Sequence, residues 1–529
     1  MEKKRRLWPK ILTIVLVIIA VIMTAGCFIL RSMSPSSPPS VNLDHDSNVV
    51  TVAGGQISGG IDNGIHTFLG VPYAEAKERF RPAEAVTPWE GVRECTSYGS
   101  ISPQTTFFGG TDGQDNNCQN LNIWTPGLDD RKRPVMVWFH GGGLTSGSAN
   151  EANTNGRSLA AREDVVVVTV NHRLGVLGYL DLSVYGEEYA ESGNVGVLDM
   201  AASLQWIHDN IAQFGGDPDN VTIFGQSGGG AKVLALMTTP RAKGLFHKAI
   251  NESGATVVLG PVFATKEEMS RVTELTMQKL NITDVNELQT IDFARLNSVS
   301  SDAISQVAAE FGKPGALGSG NTFEWMPVVD GDIIPSHPLT ETGFAEAGYD
   351  IPLLIGTNLN EWAFGFGINA EMSENEVFSR LQETYGGQAD AVFAAFRSAY
   401  PDIPPVNALY VDRYLRPAIL EITRHKAMQK GAPVYSYVMT YGNPSSVHGT
   451  EIPLVFANST GAMSDTMSAV WAAFARTGNP SADAIPAWEP YTEESGATMI
   501  LDSTSRLANH HDVQLMELIG WYGNNNTGA

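Results

Sequence analysis

The sequence predicts an α/β fold built on a mostly parallel central sheet flanked by helices. Three observations carry that expectation. Short apolar, β-branched runs recur at "PVMVWFH", "VVVVTVN", "VTIFGQ", "PLLIGT" and "PVYSYVM", each bounded by turn residues, as strands buried on both faces should be. Between several of them lie helical patterns: in "VLDMAASLQWIHDNIAQF", Leu198, Ala201, Ala202, Leu204, Ile207 and Ile211 return at helical spacing. Strands alternating with helices imply crossover connections, which make neighbouring strands parallel.

In chain order, "MEKKRRLWPK" (residues 1–10) carries Lys3, Lys4, Arg5, Arg6 and Lys10 and reads as a cytoplasmic basic segment. Residues 11–30 are uncharged and mostly apolar, long enough to span a bilayer as a helix. Only Arg31 follows directly, so the charge bias puts the N-terminus inside and the rest of the chain outside. The expectation is a membrane-anchored protein with its bulk extracytoplasmic. "VIMTAGC" leaves two alternatives, a lipoprotein through Cys27 or a cleaved signal and a secreted product; Phe28, Ile29 and Leu30 beyond the cysteine favour the anchor. Residues 31–48 form a Pro/Ser-rich linker.

No fixed repeat or long linker interrupts residues 49–520, which read as one large domain, and 521–529 read as a flexible tail. The stretches 264–322 and 371–429 look helical and should cover the sheet and its site. With 43% hydrophobic and 17% charged residues the chain is neither disordered nor fibrous. Its net charge of −23 becomes more lopsided beyond the anchor, which disfavours a nucleic-acid partner. Three cysteines make no disulfide framework; Cys95 and Cys118 either pair across a modest loop or stay as buried thiols.

Two glycine-rich segments carry the chemistry. "VTIFGQSGGG" runs from a strand into G-x-S-x-G, a strand-to-helix turn that would hold the Ser227 hydroxyl clear of the backbone. Gly225 and Gly229 are needed there because a Cβ would collide with the neighbouring strand or helix. In "FHGGGLTSG" three glycines after a strand leave N–H groups unshielded, so Gly142, Gly143 and Gly228 become candidate donors to an oxyanion. A serine nucleophile needs a histidine base, and in sites of this kind the order is Ser, acid, His. Six histidines follow Ser227: besides His337 and His448, His247 lies in "GLFHKAI", read as a helix, His425 on a basic helical face, and His510 and His511 beyond the last recognisable strand. His448, in a small-residue loop after "PVYSYVM", is the chosen base. Among Asp330, Asp332, Asp350 and Glu361, the last follows a strand directly and is the chosen acid, whereas Asp330 and Asp332 look like turn formers. Such a site needs no metal or organic cofactor.

With these residues in hand, the chain closely resembles the type-B carboxylesterases, α/β-hydrolases that include cholinesterases and bacterial para-nitrobenzyl esterases. The likeness runs through "FLGVPYAEAKERFRPAEAVTPWEGV", "HGGG", "VNHRLGVLGYL", "GNVGVLDMAASLQWIHDNIAQFGGDPDNVTIFGQSGGG", "GTNLNEW" and "WAAFARTGNPSADAIPAWEPY", in that order. It implies an α/β-hydrolase fold and a serine carboxylic-ester hydrolase acting on small to medium apolar esters through Ser227, Glu361 and His448. It also implies that Ser253 supports the triad from behind. Amide, lactone or carbamate cleavage on the same triad, and a non-catalytic binding module, are the alternatives. Phe107, Phe108, Leu144, Trp362, Phe364 and Phe366 are candidates to line an apolar pocket. Three departures matter. Gly228 replaces the family's usual alanine and should loosen the turn, Ser102 stands where its first cysteine is expected, and no tryptophan between Ser102 and Cys118 supports a choline site.

Overall fold

The computed structural model describes residues 43, 48–105, 113–254, 263–312, 323–338, 340, 344, 347–363, 371–442 and 446–520. Residues 1–10, 11–30 with Cys27, and 521–529 lie outside them. Among the described residues no helix is long and apolar enough to cross a membrane.

Eleven strands form the main sheet: β1 (Gly60–Asp62), β2 (Ile65–Pro72), β3 (Asn120–Thr125), β4 (Arg133–Phe139), β5 (Val166–Val170), β6 (Gly216–Gln226), β7 (Lys248–Glu252), β8 (Leu353–Asn358), β9 (Val434–Met439), β10 (Ala497–Leu501) and β11 (Arg506–Asn509). Their order is β11-β10-β9-β8-β7-β6-β4-β5-β3-β2-β1. From β10 to β5 every pairing is parallel, and antiparallel pairings occur only toward the two edges. All five strands expected from the sequence are present, as β4, β5, β6, β8 and β9. A smaller sheet joins residues 49–52, 55–58 and 92–94.

The sequence reading missed β7. "GLFHKAI" is not a helix: the His247 N–H donates to the Val221 carbonyl, and the chain enters the sheet at Lys248. Charged Lys248 and Glu252 hid a fully buried strand by breaking its apolar run. Inside, Lys248 meets the Asn220 side chain and Glu252 Oε1 accepts from the Trp471 Nε1–H at 2.9 Å, while Glu252 Oε2 has no partner among the described residues.

Alternation along β4 explains why the strands read as unbroken apolar runs. Val135, Val137 and Phe139 enter one core, while Met136 and Trp138 enter another on the opposite face. Helices α1 (Val195–Asn210) and α2 (Gly228–Thr238) fill the first core through Leu204, Ile207 and Val233. Helices α3 (Lys266–Leu280) and α4 (Phe293–Glu310) extend it, and α3 starts at a capping box between Thr265 and Glu268. Helices α5 (Glu374–Tyr385) and α6 (Ala389–Ala399) build a third cluster beside α7 (Leu415–Met428). Helix α8 (Ala462–Thr477) covers the opposite face, where Trp138 meets Phe224 and Phe456 edge-on at 5.0 and 5.1 Å. Each such ring pair adds about 0.5–1.5 kcal/mol beyond burial.

Cys95 and Cys118 are both buried and free, so the disulfide alternative is not realised. Backbone bonds place Cys95 between Ser58 and Leu69, in the core under the small sheet. The Cys118 thiol instead lies against the Ser102 hydroxyl, the serine standing where the family's cysteine was expected. Burial pushes the Cys95 thiol up to about 12 and Cys118 higher still, so neither forms thiolate at neutral pH.

Candidate active site

Strand β6 ends at Gln226 and α2 begins at Gly228, so Ser227 alone makes the turn. Its φ of 58° and ψ of −124° are strained for a residue with a Cβ, costing about 1–3 kcal/mol. The turn is held by the Ser227 N–H on the Glu252 carbonyl at 2.8 Å and the Ala231 N–H on the Ser227 carbonyl at 3.1 Å. A Cβ on Gly225 would sit 2.6 Å from the Phe139 carbonyl oxygen, and one on Gly229 would strike that same oxygen, as the sequence reading required.

The glycine loop after β4 packs onto this turn. Gly142 and Gly143 take φ values of 84° and 62°, and both the Ser146 N–H and its hydroxyl donate to the Gly142 carbonyl at 3.0 Å. That carbonyl is therefore turned back into the loop. Gly228 is the first residue of α2, so its N–H has no acceptor within the helix. A Cβ on Gly228 would run into the Gly143 carbonyl. The missing methyl thus leaves room for the loop to lie directly on the helix start.

Strands β6, β7, β8 and β9 are neighbours, and their carboxyl ends carry Ser227, Ser253, Glu361 and the loop of His448. His448 Nδ1 lies 2.6 Å from Glu361 Oε2, and the His448 N–H donates to the Glu361 carbonyl at 2.9 Å. Glu361 Oε1 accepts from the Ser253 hydroxyl at 2.5 Å and the Asn358 N–H at 2.7 Å. Burial works against the His448 cation, but Glu361, with Glu451 and Asp412, outweighs it, so the imidazole lies above its usual range. The loop also abuts the strand that leads into Ser227: a Cβ on Gly449 would sit 3.8 Å from Gln226 Nε2.

Two further buried carboxyls, Glu451 and Asp412, act on His448, and a third, Glu252, acts on Glu451; the sequence reading named none of them. Glu451, three residues after His448, accepts from Asn358 Nδ2 at 2.5 Å. Glu252 precedes Ser253, and Asp412 accepts the Arg416 N–H at 2.5 Å. Burial, then the mutual repulsion of Glu252 and Glu451, raises Glu252; burial, then Glu361, raises Glu451 and pushes Asp412 up to about 7. Spacing from His448 and Ser253 was a local signal for Glu451 and Glu252. Asp412 offered none.

Of the expected pocket residues, Phe107, Phe108, Phe364 and Phe366 lie outside the described residues. Leu144 is buried behind the loop, and Trp362 stacks on His448 at 4.9 Å. A cavity of about 410 Å³ opens beside the loop, with Phe323 and Trp325 as apolar wall and Thr145, Ser146, Ser301 and Glu324 as polar lining. Asp330 is a turn former as expected, accepting the Asp332 and Ile334 N–H groups. Among the described residues no cluster of three His, Cys, Asp or Glu side chains is placed to hold a metal ion.

A parallel sheet carrying a serine turn, with a His–Glu contact at the ends of adjacent strands, defines an α/β-hydrolase. The chain belongs to the carboxylesterase family, whose sequence profile matches residues 46–517. It is 35% identical to the para-nitrobenzyl esterase of Bacillus subtilis over 494 residues, 87% of this chain and 96% of that one. Among solved structures it is similar to an esterase from anaerobic Clostridium hathewayi that can hydrolyze aliphatic aromatic polyesters, with 36% identity and a TM-score of 0.81. That match covers 91% of this chain and 99% of the other. A carboxylesterase of Geobacillus stearothermophilus is 32% identical with a TM-score of 0.70, covering 89% and 99%. The chain is an enzyme that hydrolyses carboxylic esters.

Proposed function

We propose that ester cleavage runs through a covalent acyl-enzyme on Ser227. The Ser227 hydroxyl attacks the ester carbonyl while His448 Nε2 takes its proton, and the oxyanion is held by the N–H groups of Gly142, Gly143 and Gly228. The intermediate collapses as His448 returns the proton to the departing alcohol, and water repeats the sequence to free the acid. Glu361 orients His448 and stabilises its cation. No metal or organic cofactor enters these steps. The observation carrying this reading is the 2.6 Å His448 Nδ1–Glu361 Oε2 contact, which leaves Nε2 as the basic nitrogen.

The cavity volume suits small to medium substrate groups, with Phe323 and Trp325 as their apolar wall. The same proposal places the domain outside the cytoplasm, tethered through residues 11–30; five cations before that segment against Arg31 after it support this. The test is fluorophosphonate labelling with mapping of the modified residue, alongside p-nitrophenyl ester hydrolysis. Labelling at Ser227 with turnover is expected; turnover retained by Ser227→Ala would sink the mechanism.

A further inference from the structure

The side of the site opposite His448 holds a buried cation that the mechanism above does not use. Lys232 lies one turn into α2, five residues after Ser227, and is completely buried. Its Nζ donates to the His140 carbonyl at 2.7 Å, the carbonyl that opens the glycine loop. The groups facing it are His140, whose Nδ1 is 3.5 Å away, His172, stacked on His140 at 5.1 Å, and Glu151. His140 Nδ1 lies 2.8 Å from the Gly141 carbonyl, and His172 Nδ1 lies 3.0 Å from the Arg173 carbonyl. A carbonyl only accepts, so His172 carries its proton on Nδ1, whereas His140 Nδ1 lies between a carbonyl acceptor and the Lys232 ammonium donor. Burial, then Lys232, holds both imidazoles well below their usual range, so they stay neutral. Glu151 makes no direct ion pair with Lys232 among the described residues, but it is the carboxyl whose field favours the lysine cation; burial draws Glu151 up and Lys232 draws it down.

We propose that Lys232 is a positioning residue for ester cleavage: from inside the fold it fixes the loop that presents Gly142 and Gly143, and it places a positive charge behind the developing oxyanion. This inference rests on the Ser227 reading above. The geometry gives two effects. The ammonium clamps the His140–Gly141 peptide, so the amides that follow are set before the substrate arrives. Its field, in a site shielded from water, favours the negative tetrahedral intermediate over the neutral ester, so it acts on kcat rather than on KM.

The charge is conditional. Burial lowers Lys232 from its usual 10.5 to about 7. Its protonated form therefore fades through neutrality, while His448 must lose its own proton to act as a base. The kcat profile should be a narrow bell, with an acid limb from His448 and an alkaline limb from Lys232. The unfolded chain holds the lysine proton more tightly, so this group makes stability rise with pH from about 7 to about 10.5.

The test compares the full-length wild type with Lys232→Met and Lys232→Gln, measuring kcat and KM on p-nitrophenyl acetate from pH 5.5 to 9.5 together with thermal melting. In Lys232→Met we expect kcat at pH 6.5 to fall about tenfold with KM nearly unchanged, the alkaline limb to vanish, and Tm at neutral pH to rise. Lys232→Gln keeps a donor and should recover part of kcat without the limb. A folded Lys232→Met with wild-type kcat and an unchanged alkaline limb overturns the inference. Should neither variant fold, a wild type with no alkaline fall below pH 9 overturns it equally. A wild type that neither labels at Ser227 nor turns over ester would overturn the underlying reading, whereas an active wild type with unaffected variants overturns this inference alone.

Discussion

The two flanks of Ser227 bury opposite charges. Behind the glycine loop, Lys232 sits among two neutral imidazoles and Glu151, and around His448 the fold gathers Glu361, Glu451 and Asp412, with Glu252 next to Glu451. In the proposed acyl transfer a negative charge forms on the loop side and a positive charge on the histidine in the same transition state. Lys232 on one flank and Glu361 on the other thus carry the signs complementary to the charges that would form there, while burial draws Glu252, Glu451 and Asp412 toward their neutral forms. The flanks also differ in how well their charges are held. Glu361 accepts bonds from His448, Ser253 and Asn358, whereas Lys232 makes one short bond, to the His140 carbonyl, and a longer contact to the same residue's ring. One flank is a network and the other is a clamp.

The sharpest break in that contrast removes what lies between the flanks. Ser227→Ala should lower kcat by about 10⁴-fold or more, measured on a p-nitrophenyl ester with protein that still melts cooperatively. On the acid flank, Glu361→Gln keeps the shape but cannot accept equally from His448. A loss of about 10³–10⁴-fold in kcat is expected, and a loss under tenfold would mean that another carboxyl, Glu451 foremost, orients the ring. On the loop flank, Gly228→Ala drives a methyl into the Gly143 carbonyl, so kcat should drop roughly tenfold, less than the ~10²–10³ expected when a donor is lost outright. An unchanged rate would show that the loop is free to lift.

The smallest effect concerns stability. Glu252 is raised in the folded chain, by burial first and then by Glu451, so its contribution is present at low pH and is lost as pH rises through its folded value. Tm measured for Glu252→Gln against wild type should therefore favour the variant more at pH 8 than at pH 5. Lys232 acts in the reverse direction above pH 7.

Much of this arrangement was legible in the chain. Continuous apolar runs identified five of the parallel strands because a strand buried on both faces has no polar alternation to lose. The serine turn was legible because Gly225 and Gly229 bracket Ser227, and the His448–Glu361 pair followed from chain order and from loops next to strand ends. Strand β7 escaped because its two charges read as surface, and the expected helix at "GLFHKAI" followed from the same error. The cysteine alternative could not be decided from spacing, since Cys118 meets Ser102 and Cys95 meets a different core.

By itself the sequence determined the sheet's central strands, the strained serine and the glycine loop, because each is set by residues within a few positions of one another. Only the tertiary structure decided which charges share a buried space. Lys232 meets a carbonyl 92 positions earlier, and Asn358 meets Glu451 93 positions later. Charged residues in a sequence look alike until the fold removes their water. Whether a lysine or glutamate is then solvated, paired or held against its preferred ionisation depends on partners brought in by other strands.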